Sequence, residues 1–155
     1  MLFRSSNGVT RFATSVKLDG PLGDGDVRAL ALPVSGEFGH GRFAINRACA
    51  PLSLTSLKSG GVALGHTRLT LCPDGGGAML AYGPGGMSGG AAVRAPVING
   101  TIGGSRLAVK AASAKFALGK PGFTLTDADM QIGPADAPVH LTAASLDGQF
   151  AGSAL

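Results

Sequence analysis

Leu107-Ala108-Val109-Lys110-Ala111-Ala112-Ser113-Ala114-Lys115-Phe116-Ala117-Leu118 decides the fold. Its apolar residues begin at odd positions (Leu107, Val109, Ala111) and end at even ones (Ala114, Phe116, Leu118). Alternation with period two is the signature of a half-buried β-strand. Sixteen residues later the same grammar returns, with Phe123 and Leu125 odd, then Ala128, Met130 and Ile132 even. Sixteen further on come Val139, Leu141 and Ala143, then Leu146 and Phe150; sixteen back come Ala91 and Val93, then Ile98 and Ile102. Reversals are marked at Gly103-Gly104, Gly119-Lys120-Pro121-Gly122 and Gly133-Pro134-Ala135-Asp136. Each unit is thus about twelve residues between turns, or strands near ~40 Å at ~3.3 Å per residue. The slip residues (Ala112-Ser113, Thr126-Asp127, Ala144-Ser145) are not hairpin pairs such as Asn-Gly. A β-bulge, one extra residue that shifts the side-chain phase, is expected at each.

The earlier half is less regular but similar. Phe43 and Ile45 are followed by Leu52 and Leu54, and Val62 and Leu64 by Leu69 and Leu71, with the phase changing by one each time. Pro33 suits an edge or a bend. The stretch 83–90, Gly-Pro-Gly-Gly-Met-Ser-Gly-Gly, reads as a flexible loop. It divides the chain into an N-terminal β segment, 1–82, and a regular repeat region, 90–155. No window of eleven or more residues keeps a helical apolar period without a Gly or Pro.

The wider composition agrees. The chain has 155 residues, 26 Gly, 9 Pro, one Tyr, no Trp and only 14% charged residues. Mean hydropathy is +0.28, so it is not a disordered charged tail. No run approaches the ~18 apolar residues of a membrane-spanning helix. The net charge is +4, but Arg28, Arg42, Lys58, Arg68, Arg94 and Arg106 are dispersed and stacking aromatics are few. A nucleic-acid partner, which needs basic residues on one face, is not expected.

In the late units one face is apolar and the other carries Lys110, Lys115, Thr124, Asp129, Gln131, His140 and Asp147. That describes an antiparallel, half-buried sheet. The chain offers no amphipathic helix to cover its apolar face. Either the sheet folds on itself as a sandwich or barrel, or the face stays open and meets something apolar.

Catalytic and metal motifs carry little. Gly86-Met87-Ser88-Gly89-Gly90 matches G-x-S-x-G, but the nucleophile elbow needs a helix next, and Ala91–Pro96 is a short run ended by proline. His40, His66 and His140 stand in unrelated contexts. The loop Asp19–Asp26 holds three carboxylates among glycines but no Glu at EF-hand spacing, so it reads as a solvated turn. No P-loop or dinucleotide fingerprint is present. No enzyme, metal or cofactor is expected. Cys49 and Cys72 are either two reduced thiols or a disulfide closing a loop of about 24 residues, worth ~3 kcal/mol. The bridge would imply an oxidising compartment. Residues 1–8 lack an export signal, a conflict that disappears if the chain is an internal segment of a longer exported protein.

Several elements together resemble a known family: Cys49-Ala50-Pro51-Leu52, Thr67–Pro73 with its Leu-Cys-Pro, Val97–Gly103, Phe123-Thr124-Leu125 with Asp129–Gly133, and Leu146-Asp147-Gly148. The arrangement is similar to the YdbH family of the AsmA-like group, relatives of TamB, over most of the chain from about residue 10. The resemblance implies a periplasmic protein, anchored in the inner membrane through a part not present here. It implies a β-groove that conducts phospholipids between the two membranes. Its partners would be phospholipid acyl chains, the remaining repeats of the same chain and proteins at the membrane ends. The expected fold is all-β, with long antiparallel bulged strands in a twisted, curved sheet. The expected groove lining is Leu107, Val109, Phe116, Phe123 and Leu125, continuing through Met130, Ile132, Val139, Leu141 and Leu146. The alternative is a structural or adhesive β-repeat module whose apolar face is a closed sandwich core.

Overall fold

The computed structural model describes residues 1–75, 77–118 and 122–149. Strand accounts for 74% of the chain and no helix is present among these residues. The strands are β1 (Leu2–Ser6), β2 (Val9–Leu22), β3 (Gly25–Gly39), β4 (Arg42–Ile45), β5 (Ala50–Leu54) and β6 (Ser56–Ser59). Then come β7 (Val62–Leu64), β8 (Thr67–Pro73), β9 (Leu80–Gly83), β10 (Gly86–Ser88) and β11 (Gly90–Arg94). The chain continues through β12 (Val97–Ile102), β13 (Ser105–Lys110), β14 (Ser113–Ala117), β15 (Gly122–Ile132) and β16 (Val139–Gln149).

All sixteen belong to one antiparallel sheet. Its plan is a meander of long interrupted strands. The fifteen-residue β3 meets β4 at one end, β5 in its middle and β6 at the other. β7, β8 and β9 then pair back onto β6, β5 and β4. β10, β11 and β12 pair in turn onto β9, β8 and β7, and β13 and β14 onto β12 and β11. β15 spans both β13 and β14, and β16 follows as an edge. β1 is the opposite edge, paired with β2 alone.

Two-residue turns drive the meander. Ser6↔Val9, Gly39↔Arg42, Ser59↔Val62 and Ile102↔Ser105 leave Asn7-Gly8, His40-Gly41, Gly60-Gly61 and Gly103-Gly104 between them, every one of these at positive φ. Such turns match the right-handed twist of the flanking strands. The stretch 83–90 differs from its reading as a loop: Pro84-Gly85 is a tight turn and Gly86–Ser88 is strand β10. The pairings on either side of it place β1–β9 and β11–β16 in a single sheet. Residues 119–121 of one expected turn, and Phe150, lie outside the described residues.

The phase slips fall where the alternation placed them, by a different device. β13 stops at Lys110 and β14 resumes at Ser113. Asp127 adopts φ 49°, and the ladder steps from Thr126↔Ser145 to Ala128↔Ala143. No strand gains a residue on its neighbour, because Leu107↔Ile132 and Ser113↔Thr126 keep one register. Each strand turns its side chains over at the same line. Ala95, also at φ 49°, continues that line, with Ala95 N–H donating to Ala112 O at 2.8 Å and Ala112 N–H to Thr126 O at 2.9 Å. A bulge in the ordinary sense does occur between β2 and β3, where Leu18↔Leu30 gives way to Gly20↔Val27 beside Ala29 at φ 48°.

Pro33 is not at an edge: it lies inside β3, opposite Ser15. Proline has no ladder donor, and the β4 side accommodates this by slipping register at residues 46–49. Buried Asn46 fills the gap, its Nδ2 donating to Pro33 O at 3.2 Å and its Oδ1 accepting Ser35 N–H at 2.7 Å.

Candidate functional site: an uncovered apolar face

Directly opposed residues share a face, so the registers define rows that cross the sheet. One row is Ala50, Leu71, Val93, Ala114, Leu125 and Leu146. Below the slip line, Val27, Leu57, Leu64, Gly100, Leu107, Ile132 and Val139 form a second row across seven strands. Ile98, Val109, Met130 and Leu141 form a third. The buried phase changes at the slip as the side chains turn over: Leu107 and Ala114, an odd number apart, are 8% and 3% exposed.

Every residue expected to line the groove falls in one of these rows or in the row Ala91, Phe116, Phe123, Gly148. Their exposure differs. Leu107 is buried; Val109, Phe123, Leu125, Met130 and Ile132 are half-buried. Phe116 and Leu146 are more open, and Leu141 and Val139 on edge strand β16 are 52% and 61% exposed. The residues that the alternation in the earlier half hinted at, among them Leu52, Leu54, Leu64, Leu69 and Leu71, extend the same face.

Among the described residues nothing covers this face. Among the described residues Val27 is the one large side chain that is fully buried, and sixteen large hydrophobic residues are exposed. The accessible surface is 9,984 Å2, against about 7,100 Å2 for a compact chain of this mass. A closed sandwich core would bury its leucines and phenylalanines. Here the sheet curls enough to bury small residues such as Ala50, Ala114 and Ala128 and a few larger ones such as Leu54, Val93 and Leu107, and leaves most of the larger side chains half open.

The aromatic residues are not spread evenly. Phe3 and Phe12 are opposed, with ring centroids 6.4 Å apart. Phe38 faces Phe43, which stacks on Tyr82 at 5.7 Å. Phe116 faces Phe123. All lie within four positions of the reversals at 7–8, 40–41, 84–85 and between β14 and β15. The turns at the other ends of the strands, 23–24, 60–61, 103–104 and 133–138, have no aromatic neighbour. Two rings lie flat over glycine: a Cβ on Gly36 would stand 2.5 Å from Phe12 Cζ, and one on Gly148 would collide with the Phe123 ring. The face therefore has an aromatic lip and an aliphatic lip.

The opposite face is polar. Thr124 Oγ1 donates to Asp147 at 2.7 Å, His140 Nε2 lies 2.6 Å from Asp129 Oδ1, and Lys115 pairs with Asp74 at 3.4 Å. Glu37 accepts from Arg11 at 3.4 Å and from Arg47 at 2.9 Å. These guanidiniums hold its carboxyl below the ordinary value. Behind the aromatic lip, Arg42, Arg47 and Glu37 rim a hollow of about 380 Å3 floored by Ala44 and Ala81.

The two cysteines are joined. Cys49 and Cys72 extend the Ala50↔Leu71 pairing by one step, and a disulfide links them with Cα atoms 4.0 Å apart. A stable disulfide is compatible with an oxidising, extracytoplasmic compartment.

The carboxylates of 19–26 serve the fold. Asp24 accepts Gly60 N–H and Ser59 Oγ, both at 3.2 Å, and Asp19 accepts the bulge N–H of Ala29 at 3.3 Å. No cluster of metal-ligating side chains occurs among the described residues. Ser88 lies in β10, and the chain runs on into another strand rather than the helix a nucleophile elbow requires. No family model, curated protein or solved structure matches the chain.

Proposed function

We propose that this chain is a segment of a periplasmic, bridge-like lipid transfer protein that conducts phospholipids between inner and outer membranes along its apolar β-face. The observation that carries the reading is the uncovered face itself: continuous rows of apolar side chains across a single-layer sheet. Contiguous apolar surface beyond a few hundred Å2 marks a site where something apolar docks. Acyl chains laid on it release water at about 25 cal/mol per Å2 covered. Rows without a deep pocket give no position at which a chain is trapped, so lipids slide and no catalysis is needed. The disulfide supports an exported location, and the family resemblance supplies the periplasm, the inner-membrane anchor elsewhere in the protein and the partners at its ends.

Native mass spectrometry of protein purified gently from membranes tests this: bound phospholipid is expected. Leu125→Asp should abolish that binding while the protein still folds, because Leu125 is only half-buried. If Leu125→Asp instead unfolds the chain at a cost of several kcal/mol, the face is a closed core and the lipid reading falls.

A further inference from the structure

We infer that a phospholipid lies across the groove in one orientation, with its glycerol-phosphate at the aromatic lip and its acyl ends towards the aliphatic lip. This rests on the lipid reading of the face and adds which side holds the headgroup.

The first argument is the position of the rings. Phe38 and Tyr82 are 49% and 47% exposed beside the turns of that lip. Tyr82, an apolar ring with a polar hydroxyl, is a residue type that favours the boundary between apolar and wet surroundings, and the phenylalanines around it supply its apolar side. Ser5 and Thr10, opposed on the same face, add hydroxyls next to the rings, with Thr10 Oγ1 donating to Ser5 at 3.3 Å. The aliphatic lip offers Leu57, Val62 and Ile102 instead, which suit methyl ends.

The second argument is charge. On the outer side of the aromatic lip Arg4, Arg11, Arg42, Arg47 and Lys115 stand against three carboxylates, Glu37, Asp74 and Asp147. The other lip carries Asp19, Asp24, Asp26 and Asp136 against Arg28, Lys58 and Arg106. The sheet is one layer thick, so a phosphate on the inner side of either lip feels these charges within about one Debye length, ~8–10 Å. Cations outnumber carboxylates at the first lip and not at the second, so an anionic phosphate is favoured at the first.

Two photoreactive phosphatidylglycerols test the inference on the whole chain, one with the diazirine on the headgroup and one with it at the acyl end. The headgroup probe should label peptides around Phe38–Phe43 and Tyr82. The acyl probe should label peptides around Leu57–Leu64 and Ile98–Val109. Both probes labelling the same peptides, or the reverse pattern, overturns the orientation and leaves lipid binding standing. No labelling by either probe overturns lipid binding and the orientation together. Arg42→Glu, an exposed change, should lower headgroup labelling about threefold. Unchanged labelling in that variant, with the fold checked by circular dichroism, would overturn the role assigned to the arginines.

Discussion

The two halves of the sheet meet the same difficulty in different ways. From β11 to β16 every strand turns its side chains over at one line, so neighbours stay in register and need no clamp. Between β3 and β9 the register is broken: the strands slip at residues 46–49 and again at 74–79. The broken region holds the disulfide, the buried Asn46 and the Met79 N–H that reaches both Ile45 O and Asn46 O at 3.0 Å. An irregularity shared by all strands disturbs no pairing. One confined to a few strands leaves ladder groups unpaired, and other bonds must take them up.

Removing the clamps should therefore damage one half selectively. Cys49→Ser with Cys72→Ser is expected to cost about 3 kcal/mol in denaturant unfolding. Hydrogen exchange should show lost protection in β4, β5, β8 and β9 and little change in β15. Equal loss across both halves would mean that the clamp serves the whole sheet.

Asn46→Ala comes next, at about 2 kcal/mol. It leaves Ser35 N–H and Pro33 O without their partner and puts Ala at φ 49°. Chemical denaturation measures the loss, and Asn46→Asp should not restore it, because a carboxylate cannot donate to Pro33 O.

In the regular half the corresponding change improves the protein. Ala95→Gly relieves a left-handed alanine and is expected to raise stability by roughly 0.5–1 kcal/mol, seen as a higher melting temperature. A loss would show that the kink line depends on the Cβ of Ala95.

The smallest effect is that of pH. The Glu37 carboxyl is held below its ordinary value by hydrogen bonds from Arg11 and Arg47. A lowered folded-state value contributes stability above the unfolded value and loses it as pH falls through the folded one. The loss should be confined to acid below about pH 4.5, the ordinary Glu value. Arg47→Gln should return the Glu37 carboxyl towards that value in an NMR titration.

The contrast between the halves also explains what could be read beforehand. The late repeat was legible because alternation, slip and turn recur every sixteen residues, and each strand obeys the same local rule. Even there, the slip read as an inserted residue, because one strand by itself does not reveal that its neighbours turn over at the same line. In the early half, Pro33 argued for an edge or a bend. Its place inside the sheet depends on Asn46, thirteen residues away, through a bond that no local pattern encodes. The stretch 83–90 looked like a loop because its glycines outnumber its side chains, yet β9 supplies backbone partners for Gly86–Ser88. The shared rows of the late half could be read from parity. The aromatic lip did not, because gathering Phe3, Phe38, Tyr82 and Phe116 along one margin requires the turns to be placed first.

The line through Ala95, Ala112, Asp127 and Ala144 works like a crease in a sheet of paper. Backbone bonds from Ala95 to Ala112 and from Ala112 to Thr126 lie along it, the register is kept on either side, and small residues border it, Ala111, Ala128 and Ala143 among them. Paper bends along a crease at small cost and resists bending elsewhere. A sheet creased in this way is expected to bend along that line while keeping the spacing of its strands, so under the proposed lipid reading its two walls would swing apart or together to fit acyl chains of different girth.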